Sequence, residues 1–118
     1  MTSELHPLAQ DVKQHLDNPD DRFMMLVYFT VEAGREDAFK QAFHRPLQET
    51  VKEEGNCTYR LIQQANEPTT FIVIEHWKSL ADLNSHLHQP YLDELLANVG
   101  PMLAAEPKVD VFHEYVAL

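Results

Sequence analysis

Two stretches of this sequence are apolar on both faces of an extended chain, which limits what the rest can fold into. Residues 22 to 31 put Phe23, Met25, Val27, Phe29 and Val31 on one side of a strand, and Met24, Leu26, Tyr28 and Thr30 on the other. Residues 70 to 77 repeat the pattern, with Phe71, Val73, Glu75 and Trp77 facing one way and Ile72, Ile74 and His76 the other. Side chains alternate across a strand, so a sheet covered by helices on one face alone should alternate apolar with polar residues. Leaving Met24, Leu26, Ile72 and Ile74 in water would create a sizeable apolar patch. A second copy of the same sheet, related by a two-fold axis, is the economical cover, so a homodimer is expected.

The intervening segments read as helices. Glu36 and Asp37 suit the positive end of a helix dipole. Phe39, Phe43, Leu47 and Val51 then form an apolar stripe, which Pro46 should kink or split. Gly55 is expected to end this helix as a left-handed cap. A second strand follows from Cys57 to Gln64, with Tyr59 and Leu61 on one face and Arg60 and Ile62 on the other. Ser79 is a natural cap for a helix that turns Leu80, Leu83 and Leu87 inward with His86 beside them. Pro90 opens a further helix bearing Tyr91, Leu95 and Val99, and a last strand covers residues 108–116. The order β-α-β-β-α-β predicts an α+β, ferredoxin-like split βαβ with an antiparallel sheet. Leu5, Leu8, Val12 and Leu16 recur at helical spacing, so residues 1–21 are expected to form an N-terminal arm with a short helix, ahead of a domain over 22–118.

Charge narrows the partners. The 118 residues include 9 basic and 19 acidic side chains, a net charge of −10, which repels nucleic acid and anionic membranes. One cysteine, Cys57, excludes an intrachain disulfide and is expected to be buried and inert. The opening residues do not resemble a signal peptide, and no apolar run would span a membrane, so a soluble cytoplasmic protein is expected. No metal-ligand or phosphate-loop spacing is present. His86 and His88 are two residues apart and point apart on a helix, so no metal is expected.

The run Ile74-Glu75-His76-Trp77-Lys78-Ser79, followed by Leu80, Leu83, Ser85-His86-Leu87 and Pro90-Tyr91, resembles the core signature of the antibiotic biosynthesis monooxygenase family. Glu54-Gly55-Asn56 with Tyr59, and Val31 to Phe39, resemble the family's upstream segments, so the likeness covers roughly residues 23 to 115. It implies a dimeric α+β barrel, and a cofactor-independent monooxygenase that oxidises quinol-like or polyphenolic molecules with O2. A branch that processes a phosphorylated autoinducer-2 signal implies an isomerase-like or degradative alternative. A non-catalytic dimeric ligand-binding or stress-response domain is the alternative from another class. The haem-degrading branch has a tryptophan where this chain has His86, and a ligating histidine near Leu96, so haem is not expected.

An oxygenase of this kind needs a base to deprotonate its substrate and a pocket that excludes water. His86 is the expected base or substrate orienter, as imidazole titrates near neutrality, although a core histidine bonded to a backbone carbonyl has the same sequence signature. Glu75 is the candidate orienting carboxylate, or else half of a structural pair with Arg60. Trp77, Tyr59 and Tyr91 are candidate pocket walls or core residues. His44, next to Pro46, is a possible second proton acceptor or a solvent-exposed residue. A large pocket containing His86 would favour an enzyme; a cavity filled by Phe39, Phe43 and Trp77 would favour the non-catalytic reading.

Overall fold

Phe23 lies opposite Trp77, and Thr30 opposite Thr70, in an unbroken antiparallel ladder between the two strands that are apolar on both faces. The computed structural model describes residues 4–115. Its elements are α1 (Pro7–Lys13), β1 (Phe23–Thr30), α2 (Glu36–Ala42), α3 (His44–Thr50), β2 (Asn56–Gln63), β3 (Thr70–Trp77), α4 (Leu80–Leu87), α5 (Pro90–Val99) and β4 (Lys108–Phe112). The strands form one antiparallel sheet in the order β2-β3-β1-β4, so the fold is ferredoxin-like as expected. No helix among the described residues is long and apolar enough to cross a membrane.

Helices cover one face of the sheet. Phe23, Phe39 and Phe71 are wholly buried there, and each such burial stabilises the fold by about 1.5–3 kcal/mol. Phe29, Phe39, Phe43 and Phe71 form an aromatic cluster with ring centroids 4.7–6.0 Å apart. On the other face Met24, Leu26, Tyr28, Ile72, Ile74 and His76 stay half-buried, with Ile62 and Phe112 exposed.

The local signals at most helix ends hold. Pro46 splits the predicted helix, and the break falls at Phe43, whose N–H bonds Lys40 in a tighter turn. The Ser79 hydroxyl accepts from the Asp82 N–H, and Pro90 opens α5.

Four expectations are corrected. Gly55 is not a left-handed cap: among the described residues only Gly34, in the turn after β1, has positive φ, at 92°. Gly55 is needed for close approach, because a Cβ there would sit 2.1 Å from Cγ of Asp82. Val51 falls after the end of α3 and is 57% exposed. Cys57 sits where the register shifts between Asn56 and Thr58, and the irregularity leaves it exposed, against Nη1 of Arg22 at 3.2 Å. The last strand ends at Phe112 instead of continuing to 116; His113 to Tyr115 are exposed, and Val116 lies outside the described residues.

The arm is ordered against the rest of the chain. His6 caps α1 by accepting from the Leu8 N–H, with Pro7 at its first position. Ala9 and Val12 are buried, and α1 packs on α4.

Candidate active site

A cavity of about 390 Å³ lies between the sheet and the helices. Met25, Val27 and Phe29 of β1, Val73 of β3, and leucines of α4 and α5 make it mostly apolar. Tyr59 of β2, Glu75 of β3 and His86 of α4 bring polar atoms to it. Volume and lining are those of a small-molecule site.

His86 is 1% exposed and held on three sides. The Trp77 ring packs on it at 4.6 Å, and the Tyr59 ring meets it edge-on at 5.3 Å. Its Nδ1 lies 2.8 Å from Oε2 of Glu53. A carboxylate only accepts, so Nδ1 carries a proton, and in the neutral imidazole the lone pair is then on Nε2. The Tyr91 hydroxyl donates to the same Glu53 oxygen. Trp77 donates its indole N–H to Oε1 of Glu75 at 2.9 Å. Thr50 places a wholly buried hydroxyl beside those of Tyr59 and Tyr91, with no hydrogen bond of normal geometry.

Burial governs the ionisation of Glu75, Tyr59 and Tyr91. Burial pushes the Glu75 carboxyl above the usual range, opposed in part by nearby His86 and the Trp77 hydrogen bond. The Tyr59 phenol is pushed well up by burial, and then by the charges of Glu75 and Glu53. Tyr91 is raised by burial, and then by its hydrogen bond to Glu53. Both phenols therefore stay protonated and act as donors near neutral pH.

The candidates named from sequence separate into three groups. His86, Glu75 and Tyr59 line the cavity. Trp77 and Tyr91 stand behind it, Trp77 against His86 and Glu75, Tyr91 against Glu53. They are supports and not walls. His44 joins neither group: it is exposed in the first turn of α3. Arg60 is exposed on the opposite face of the sheet, so the alternative pair with Glu75 does not form. Glu53 was missed. Locally it is one of two adjacent glutamates at a helix end, and only the packing of α3 against α5 aims it at His86 and Tyr91.

The sequence matches the antibiotic biosynthesis monooxygenase family over residues 22–107. The chain belongs to that family. Among its relatives is YcnE of Bacillus subtilis, a candidate monooxygenase, 26% identical over 82 residues, which cover 70% of this chain and 86% of YcnE. The uncharacterised protein sll1783 of Synechocystis is 23% identical over 105 residues, 89% of this chain and 69% of its own. A candidate antibiotic biosynthesis monooxygenase from Nitrosomonas europaea shares the fold with a TM-score of 0.77 at 23% identity, over 80% of this chain and 99% of that one. Rv0793 of Mycobacterium tuberculosis superposes with a TM-score of 0.76 at 20% identity, over 82% of this chain and 98% of that one. The family match begins at residue 22, so α1 lies outside the matched segment.

Proposed function

We propose that this member of the antibiotic biosynthesis monooxygenase family oxidises quinol-like or polyphenolic small molecules with O2, without a cofactor, as a homodimer. The observation that carries the reading is a buried imidazole, fixed through Nδ1 by Glu53, at the wall of a mostly apolar cavity.

Chemistry of this kind asks little of the protein. Nε2 of His86 takes a proton from the activated carbon or hydroxyl of the substrate, and Glu53 stabilises the imidazolium that forms. Tyr59, held protonated by burial, donates to a ring oxygen where charge collects. The apolar walls keep water from the anion. The anion passes an electron to O2, the two radicals join at carbon, and the peroxide loses water to leave a carbonyl. For an anthrone-like methylene, two hydrogens leave, one oxygen atom enters the product and the other departs as water. All four electrons come from the substrate, so no external reductant is required.

The open sheet face supports the homodimer part of this reading, since half-buried Leu26, Ile72 and Ile74 lie together there. The test is oxygen uptake by the purified protein with a panel of quinols and anthrones, beside His86→Ala. Uptake well above the autoxidation blank, and about a hundredfold or more lower in the variant, is expected. No uptake above the blank across the panel rejects the reading.

A further inference from the structure

The cavity has a buried end and an open end, and they differ in chemistry. At the buried end sits His86, almost inaccessible. At the open end the lining residues are exposed: Leu8 (41%), Leu96 (37%) and Val109 (38%) form an apolar rim. Asp11 and His15 add the polar groups there, and both come from the arm.

The arm is fastened on both sides of α1, and both fastenings are to the start or body of α4, the helix that bears His86. The side-chain amide of Asn84, itself buried, accepts from the His6 N–H at 2.8 Å and donates to the Glu4 carbonyl at 3.1 Å. Beyond α1, the Leu80 N–H donates to the Pro19 carbonyl at 2.8 Å. Val12 is 3% exposed and lines the cavity, so α1 is one of its walls. The family match begins at residue 22, so this wall lies outside the segment matched to the family.

We propose that α1 is the specificity-determining wall of the cavity: it admits a planar aromatic ligand whose inner end meets His86 and whose outer end carries a hydrogen-bond donor received by Asp11. This rests on the reading of the cavity as the substrate site. Leu8 and Val12 supply the apolar contact for the ring, and the Asp11 carboxylate accepts from an amino or hydroxyl substituent at the mouth. A ligand lacking that donor leaves the apolar rim contacts intact and loses the contact to Asp11, so selection is expressed in affinity.

The experiment is calorimetric titration of the full-length protein with 1-naphthol and with 5-amino-1-naphthol, which differ only in the outer donor. The wild type should bind the amino compound roughly three- to tenfold more tightly, the scale of one hydrogen bond. Asp11→Ala, a change at an exposed position, should bring the two constants together by weakening the amino compound. Asn84→Ala, which unfastens the arm, should weaken both ligands. Equal constants in the wild type, or a preference that survives Asp11→Ala, overturn the role of α1. If neither compound binds, or if His86→Ala leaves both affinities untouched, the cavity reading itself falls and the inference falls with it.

Discussion

Glu53 and His86, thirty-three residues apart in sequence, meet through a 2.8 Å contact between Oε2 and Nδ1. The same oxygen receives the Tyr91 hydroxyl, so one carboxylate ties the turn after α3 to α4 and α5. This arrangement sets the tautomer of the imidazole and so decides which nitrogen faces chemistry.

Glu53→Gln keeps the size of the side chain and removes its charge. The amide no longer stabilises an imidazolium and can present an N–H to Nδ1, which favours the wrong tautomer. Turnover should fall about 10- to 100-fold, the usual scale for a partner that orients a reacting group. Steady-state rates test this, and an unaltered turnover would remove Glu53 from the mechanism.

Glu75→Gln should stabilise the protein above neutrality. Burial raises the Glu75 carboxyl pKa from its ordinary 4.5, so the folded state holds that proton more tightly than the unfolded one does. The stability linked to that proton is fully present below the unfolded value and is lost as pH rises through the folded one. Above the unfolded value the wild type either buries a carboxylate or holds a proton that the unfolded chain releases, a cost that the amide escapes, and the amide oxygen can still accept from the Trp77 indole. Melting curves should place the variant above wild type at pH 8 and level with it near pH 4. A variant that melts lower at pH 8 would mean that the attraction to His86 outweighs burial.

Ile74→Glu tests what covers the open face. Ile74 lies opposite Leu26 at the centre of that face, on the side of the sheet away from the helices. A charge there should turn a dimer into a folded monomer, seen by sedimentation with an unchanged far-ultraviolet spectrum. A wild type that already sediments as a monomer contradicts the dimer.

Gly55→Ala should cost about 1–3 kcal/mol, the range for forcing an extra methyl group into a packed site. The new Cβ would meet the side chain of Asp82, which also bonds the Ser79 hydroxyl at 2.8 Å. Combining it with Asp82→Ala should recover part of the loss in a denaturant titration. No recovery would locate the constraint in the backbone of this turn.

Secondary structure was largely legible because its causes are local. The double-sided apolar pattern of residues 22–31 and 70–77 specified two central strands, and Ser79, Pro46 and Pro90 marked helix starts and a break through hydrogen bonds made within a turn or two. Identity of a residue was enough to nominate His86, a polar side chain on an apolar helix face. What each side chain meets was a different matter. Gly55 had two physical reasons to be glycine, positive φ or close approach, and only the position of Asp82, twenty-seven residues on, chose between them. Cys57 looked like a core residue until the strand irregularity turned it out to solvent. Glu53 and Glu54 are the same residue in the same local setting; Glu53 is the one the fold delivers to His86, and Glu54 stays exposed. Local pattern specified the elements, their order and the apolar face left over. The partners within the site came from packing, because those contacts cross three helices and two strands whose relative placement no local pattern encodes.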